Sequence, residues 1–181
     1  ELQCMTLTDY YGELQVTTGV YKVPYKGDAQ LLANYVLDNL PKDWTEQVNQ
    51  ITNDEDNNFC QTYWAGFDLP QIYKSQIEDS IGFSFISECF LWHYRDAIDN
   101  AIHRDNTDYI ANFDGYWTVI VPIIDAGTRI DMWADDKKTK IDECEYEIGD
   151  IVMLANQTHY HSVENKTIDK MGLHFFVDKR L

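Results

Sequence analysis

A chain of 181 residues with 31 acidic against 14 basic side chains, a formal net charge of −17, is poorly suited to a phosphate backbone, whose binding is driven largely by Lys and Arg. Hydrophobic residues make up 44% of it, so a real core is affordable, and one domain is expected because folding at this length buries roughly 70% of the surface exposed by the unfolded chain. No apolar run approaches the roughly 20 residues that cross a bilayer, and Glu1 opens no basic, apolar signal region, so a cytoplasmic protein without membrane or nucleic-acid partners is expected.

The clearest helix runs from Asp28 to Leu40: Asp28 can cap it, Leu31, Leu32, Tyr35, Val36 and Leu40 recur at helical spacing, and Pro41 stops it. Gln47 to Phe59, dense in Asn and Asp, reads as a surface loop. A second helix is expected from Pro70 to Ile81, with Ile72, Tyr73, Ile77 and Ile81 near one face. From Phe83 the pattern changes to short β-branched and aromatic runs between turn residues, the signal for successive strands. These are Phe83 to Tyr94, Tyr116 to Ile124, Arg129 to Trp133, Ile151 to Leu154, His159 to Glu164 and Met171 to Val177. Turns fall at Asp96 to Asn100, Asp125 to Gly127, Gly149-Asp150 and Glu164 to Asp169, and the charged stretch Asp135 to Asp142 reads as an exposed loop. Strand and helix do not alternate, which disfavours a parallel doubly wound sheet. The expected architecture is mainly β (α+β), a jelly roll or double-stranded β-helix over residues 83–178, with residues 1–82 as a helical, loop-rich buttress.

Cys4, Cys60, Cys89 and Cys144 form no CxxC pair and have no companion His at zinc-finger spacing, so they read as reduced, buried small hydrophobes. A different metal site is suggested by His103 and Asp105. In extended backbone, residues i and i+2 project to the same side, so an imidazole and a carboxylate could reach one borderline cation such as Fe(II). His161 supplies a candidate third ligand on a late strand, and Lys170 follows across a turn, where its ammonium could pair with a carboxylate of a metal-bound acid. A two-histidine, one-carboxylate facial set leaves coordination positions open for a chelating acid and dioxygen.

The residues that carry a resemblance are Tyr94 through His103-Arg-Asp105, Thr118-Val-Ile-Val-Pro-Ile, His161-Ser-Val-Glu-Asn and Lys170-Met-Gly-Leu-His-Phe-Phe. Over about Phe83 to Val177 the chain resembles the 2-oxoglutarate and Fe(II)-dependent dioxygenases, particularly the small prolyl-4-hydroxylase-like and phytanoyl-type members. The resemblance implies that His103, Asp105 and His161 bind Fe(II) and that Lys170 binds the distal carboxylate of 2-oxoglutarate, with Tyr94 and Thr118 as further candidates for the cosubstrate pocket. It implies dioxygen as a reactant, oxidative decarboxylation of 2-oxoglutarate to succinate, and hydroxylation of a small-molecule or peptide substrate. The loops Asn106 to Gly115 and Thr128 to Lys140 would then set specificity. The chain departs from many relatives in having Ala97 where glycine is frequent, and lysine at 170 where arginine is.

Other residues compete for these roles. His159 lies two before His161 and could replace it as the distal ligand. His93, among Phe90, Leu91, Trp92 and Tyr94, reads as a hydrogen-bonded core or rim histidine, and His174, which shares strand parity with Lys170, reads as structural. Trp92, Tyr94, Tyr116 and Trp117 read as sheet core, and Arg104 and Arg129 as solvated or salt-bridged. Because β-helices of this type serve several purposes, a cupin-like ligand-binding module, or a metal-dependent cupin enzyme that does not use 2-oxoglutarate, remains the alternative.

Overall fold

In the computed structural model, which describes residues 19–47, 61–95, 100–104, 116–155, 159–167 and 169–178, the chain runs β1 (Val20–Pro24), α1 (Ala29–Asp38), β2 (Thr45–Gln47), β3 (Gln61–Gly66), α2 (Gln71–Ile81), β4 (Phe90–Arg95), β5 (Asn100–His103), β6 (Tyr116–Ile124), β7 (Thr128–Trp133), β8 (Lys140–Tyr146), β9 (Asp150–Leu154), β10 (Tyr160–Asn165) and β11 (Asp169–Asp178). These strands form a larger sheet in the order β1-β9-β6-β11-β4-β3-β2 and a smaller one in the order β5-β10-β7-β8. Pairing within both sheets is antiparallel throughout. Two antiparallel sheets with helices on one side make the protein mainly β, a double-stranded β-helix of the jelly-roll type. Among the described residues, no helix is long and apolar enough to cross a membrane.

Both expected helices form. The Asp28 carboxylate accepts the Leu31 N–H at 3.0 Å and so satisfies one of the unpaired donors of the first turn of α1. The face is narrower than the periodicity suggests: Leu32, Ala33 and Val36 are buried, whereas Leu31 and Leu40 are exposed. Helix α2 ends at Gly82, whose φ of 78° suits a residue without a Cβ, and it buries Ile77 and Ile81 but leaves Ile72 exposed.

Alternation along the strands divides the interior in two. Leu91 of β4, Val119, Val121 and Ile123 of β6, Met153 of β9, and Met171, Leu173 and Phe175 of β11 pack under α1 and α2 as an outer core, where the Phe85 and Phe175 rings stack at 3.9 Å. On the opposite side, between the sheets, lie Val20, Ile120, Val152 and Leu154 of the larger sheet with Ile130, Met132, Cys144 and Tyr146 of the smaller. We call this second space the inner face.

The sheet crosses the boundary expected near residue 82. Strands β1, β2 and β3 all precede it, yet β1 bonds to β9 and β3 to β4 as members of the larger sheet. Each is short, and Pro24 and the surrounding polar residues weaken its pattern, so pairing rather than local preference makes it a strand. The last residues of the charged stretch, 140–142, likewise begin β8 and are not loop: Glu143 and Glu145 of this strand project outward, while Cys144 and Tyr146 point in and Asp142 shares their parity. Residues 128–133, expected in part as a mouth loop, are β7, and residues 83–89, expected as strand, are not. The expected loops 48–59 and 106–115, the turn at 96–99, Cys4 and Cys60 lie outside the described residues.

Candidate functional site

The short strand β5 ends at His103, whose register partner on β10 is His161. Directly opposed residues of an antiparallel pair project to the same side, and the two imidazoles stand with ring centroids 4.4 Å apart, tilted by 53°. On its other side His161 is opposite Met132, an inner-face residue, so the pair points into the space between the sheets. His161 is 3% exposed and His103 partly buried.

The His161 Nδ1 lies 3.2 Å from the His159 carbonyl oxygen. A carbonyl only accepts, so this contact assigns the proton to Nδ1 and, in the neutral ring, the lone pair to Nε2. A bond from the ring nitrogen that faces away from the metal fixes the tautomer of metal-binding histidines. His159 is set differently: it precedes β10, donates its N–H to the Ala155 carbonyl, and lays its ring against Gly19, where an added Cβ would stand 2.8 Å from His159 Cγ. The geometry therefore pairs His103 with His161, not with His159. Asp105 lies outside the described residues, and among the described residues no group of three or more His, Cys, Asp or Glu gathers at metal-binding distance.

Lys170 opens β11 and is 8% exposed, a rare degree of burial for an ammonium. Its Nζ donates to the Tyr146 hydroxyl at 3.0 Å and to Asn165 Oδ1 at 3.2 Å, and it stands 5.7 Å from the centre of the Tyr94 ring, its register neighbour on β4. Tyr146 and Asn165 are neutral acceptors that orient the ammonium. Tyr146 is fully enclosed; burial first, and the Asp125 carboxylate second, push its phenol well above the usual range and keep it protonated. Thr118 is also buried on the inner side of β6, but it is opposite Phe176, six residues along β11 from Lys170 and about 20 Å away along the strand. The structure thus brings Tyr94 to Lys170 and does not bring Thr118 there.

Tyr146 and Asn165 were not singled out by sequence. Asn165 shares parity with His161 in the same strand, which is a signal; Tyr146 has none, because no strand is expected around it. The other candidates resolve simply. His93 faces away from the inner face and bonds Asp169 at 2.6 Å, Arg104 lies over the Tyr160 ring at 4.2 Å, and Arg129 pairs with Asp131 and Glu164. Trp117 belongs to the outer core, whereas Trp92 and Tyr94 face inward beside His174.

Two inward imidazoles, one with its lone pair assigned to Nε2, followed two residues after His103 by a carboxylate, are a donor set that suits a borderline divalent cation such as Fe(II). A buried ammonium at the other end of the same inner face suits an anion.

No protein-family model and no curated protein sequence matches this chain. Solved structures do. A prolyl-4-hydroxylase of Pseudomonas putida is 13% identical over 92% of this chain and 96% of its own, with a TM-score of 0.54. OsALKBH1 is 11% identical over 87% and 97%, with a TM-score of 0.62. An oxidoreductase of the 2OG-Fe(II) oxygenase family from Burkholderia pseudomallei is 15% identical over 96% and 91%, with a TM-score of 0.58. The chain has the fold of the 2-oxoglutarate and Fe(II)-dependent dioxygenase superfamily.

Proposed function

We propose that the protein is an Fe(II) and 2-oxoglutarate-dependent oxygenase that hydroxylates a small-molecule or peptidyl substrate and releases succinate. The observation that carries this reading is the direct register pairing of His103 with His161 on an inner face that also holds a buried lysine. In this reading His103, His161 and Asp105 hold the iron, and Lys170 receives the distal carboxylate of 2-oxoglutarate. When bound, the iron supplies activation of dioxygen coupled to decarboxylation of the oxo-acid.

The chain's own residues do the rest. His159 contributes its carbonyl, which holds the His161 proton on Nδ1. Tyr146 and Asn165 aim the Lys170 ammonium, and Tyr146, kept neutral by burial, adds no competing negative charge. The surrounding apolar residues, Ile130, Met132 and Val152 among them, exclude water and so strengthen the pairing of Lys170 with a carboxylate.

The test is anaerobic addition of Fe(II) and 2-oxoglutarate, which should give a weak visible charge-transfer band, followed by air, which should yield succinate. Neither signal appearing would refute the proposal. A second reading is a cupin-like module that binds a ligand without oxidising it. A metal-dependent enzyme that does not use the oxo-acid would keep its activity in Lys170→Ala and lose it in His103→Ala.

A further inference from the structure

Three strands of the smaller sheet stop together beside the histidine pair: β5 ends at His103, β10 begins at Tyr160, and β7 ends at Trp133, which is opposite Tyr160. His161 and Met132 point inward, so by alternation Tyr160 and Trp133 stand on the outer side of this end, the rim. Arg104 joins them there. Its guanidinium lies 4.2 Å over the Tyr160 ring, and its Nη2 donates to the Tyr160 hydroxyl at 2.9 Å. Trp133 is fixed on the same side by an Nε1–H bond to Ser162 Oγ at 2.8 Å.

Arg104 differs from the other cations of this acidic chain. Lys22 meets Asp150, Arg129 meets Asp131 and Glu164, and Lys140 meets Asp131 and Glu143. Arg104 is exposed, and among the described residues no carboxylate pairs with it, although the sequence holds 31 acidic residues. Among the same residues the Tyr160 hydroxyl accepts from Arg104 and donates its own proton to none. A guanidinium has five N–H donors and no acceptor, so the two groups together present donors only, which suits a carboxylate. A second cation stands on the same ring. In the β7–β8 turn Asp136 accepts the Lys138 and Thr139 N–H groups at 2.8 Å each, and Lys137 donates its N–H to the Ala134 carbonyl at 2.9 Å. These bonds hold Lys137 at φ 55°, uncommon for a residue with a side chain, and its ammonium stands 4.9 Å from the Tyr160 ring centre.

We infer that this rim docks an Asp or Glu side chain of a peptide, and that the substrate of the oxygenase reading, on which this part rests, is an acidic peptide segment. Arg104 and Tyr160 are the chain neighbours of His103 and His161 on the opposite side of their strands, so a peptide entering the inner space at this end crosses the rim. The rim is open, with Arg104 and Lys137 both exposed. A free small acid lying there would keep most of its surface in water, whereas sites for small ligands enclose most of theirs. A peptide held at the inner space as well gains the rim as a second point of attachment. At a net charge of −17 the chain as a whole repels an acidic segment, so its attraction is confined to the rim and fixes where the carboxylate lies.

The experiment titrates the protein, saturated with Mn(II) and 2-oxoglutarate so that Lys170 is occupied, with three probes by calorimetry at low salt. The probes are a capped peptide with three central glutamates, the same peptide with glutamines, and glutarate. The glutamate peptide is expected to bind, and the glutamine peptide and glutarate to bind at least tenfold more weakly. Arg104→Met should weaken the glutamate peptide about tenfold, the loss of one charge-assisted contact, and Tyr160→Phe about threefold. Lys166→Met, which removes a charge at the far end of β10, should bind as wild type does. A glutamine peptide that binds as well as the glutamate one, or an Arg104→Met protein with wild-type affinity, overturns the inference, and glutarate binding as tightly as the peptide overturns the peptide assignment. Should Arg104→Met fail to fold, Tyr160→Phe decides, because it keeps the ring and loses only the hydroxyl; wild-type affinity there is equally fatal. The titration is repeated without metal, which the rim does not need. A protein that binds no 2-oxoglutarate but takes the glutamate peptide refutes the oxygenase reading and leaves the rim as a peptide-binding surface, whereas one that binds 2-oxoglutarate and not the peptide refutes the rim alone.

Discussion

The two sides of β11 differ as two proteins might. One side is Met171, Leu173, Phe175 and Val177, all 2% exposed or less, packed beneath the helices; the other is Lys170, Gly172 and His174, a cation, a glycine and an imidazole. A period of two lets one strand serve both, because a side chain on one side has no path to the other. Stability and ligand chemistry should therefore separate by residue parity along this strand. That separation is what mutation can test.

The largest effect is expected on the outer side. Leu173→Ala removes a fully buried side chain from the outer core, and denaturant unfolding should show a loss of about 3 kcal/mol. At a temperature where the variant is folded, its 2-oxoglutarate affinity should match wild type. A comparable loss of affinity in the folded variant would break the division by parity.

The inner side should respond the opposite way. Lys170→Met removes a buried charge and keeps most of the volume, so stability should stay within about 1 kcal/mol of wild type. Affinity for 2-oxoglutarate in the presence of Mn(II) should fall about a hundredfold, about 2.7 kcal/mol, measured by calorimetry. If Lys170→Met binds the acid as wild type does, the cation is structural and the cosubstrate assignment is wrong.

How far the sequence carries differs between the same two sides. The outer core was readable, since helices with Asp28, Pro41 and Pro70 at their ends and long β-branched runs such as Tyr116 to Ile124 announce themselves locally. His103, His161 and Lys170 were readable as residue types in order, but their mutual placement was not. That placement depends on β5 pairing with β10 and on β8 closing the smaller sheet, and both are long-range pairings of strands with weak local patterns. Tyr146 shows the cost: a buried partner of Lys170 sits at the end of a strand that follows directly on the charged stretch and has no strand signal of its own. The N-terminal strands were missed for the same reason, β1 and β3 being short segments that pair with β9 and β4 far along the chain.

The smallest effect concerns Cys144, which faces the inner space from β8, while Cys89 lies in the outer core. Burial pushes the Cys144 thiol up from 9.0 to about 11, with the Asp142 and Asp150 carboxylates adding to the rise and Lys22 opposing it. A thiol whose folded pKa lies above its unfolded one stays protonated in the folded protein while the unfolded chain releases its proton. Its contribution is therefore complete below pH 9 and is lost as pH climbs through about 11. The loss is about 2 kcal/mol, the linkage expected when a thiol rises from 9.0 to about 11, after allowance for residual hydration. Cys89 is raised by burial as well and contributes a slope of its own, so the informative quantity is a difference. Between pH 8.5 and 11.5, wild type should lose about 2 kcal/mol more unfolding free energy than Cys144→Ala. Equal losses would mean that water reaches the thiol, and with it the inner space around Tyr146 and Lys170, whose dryness the anion site requires.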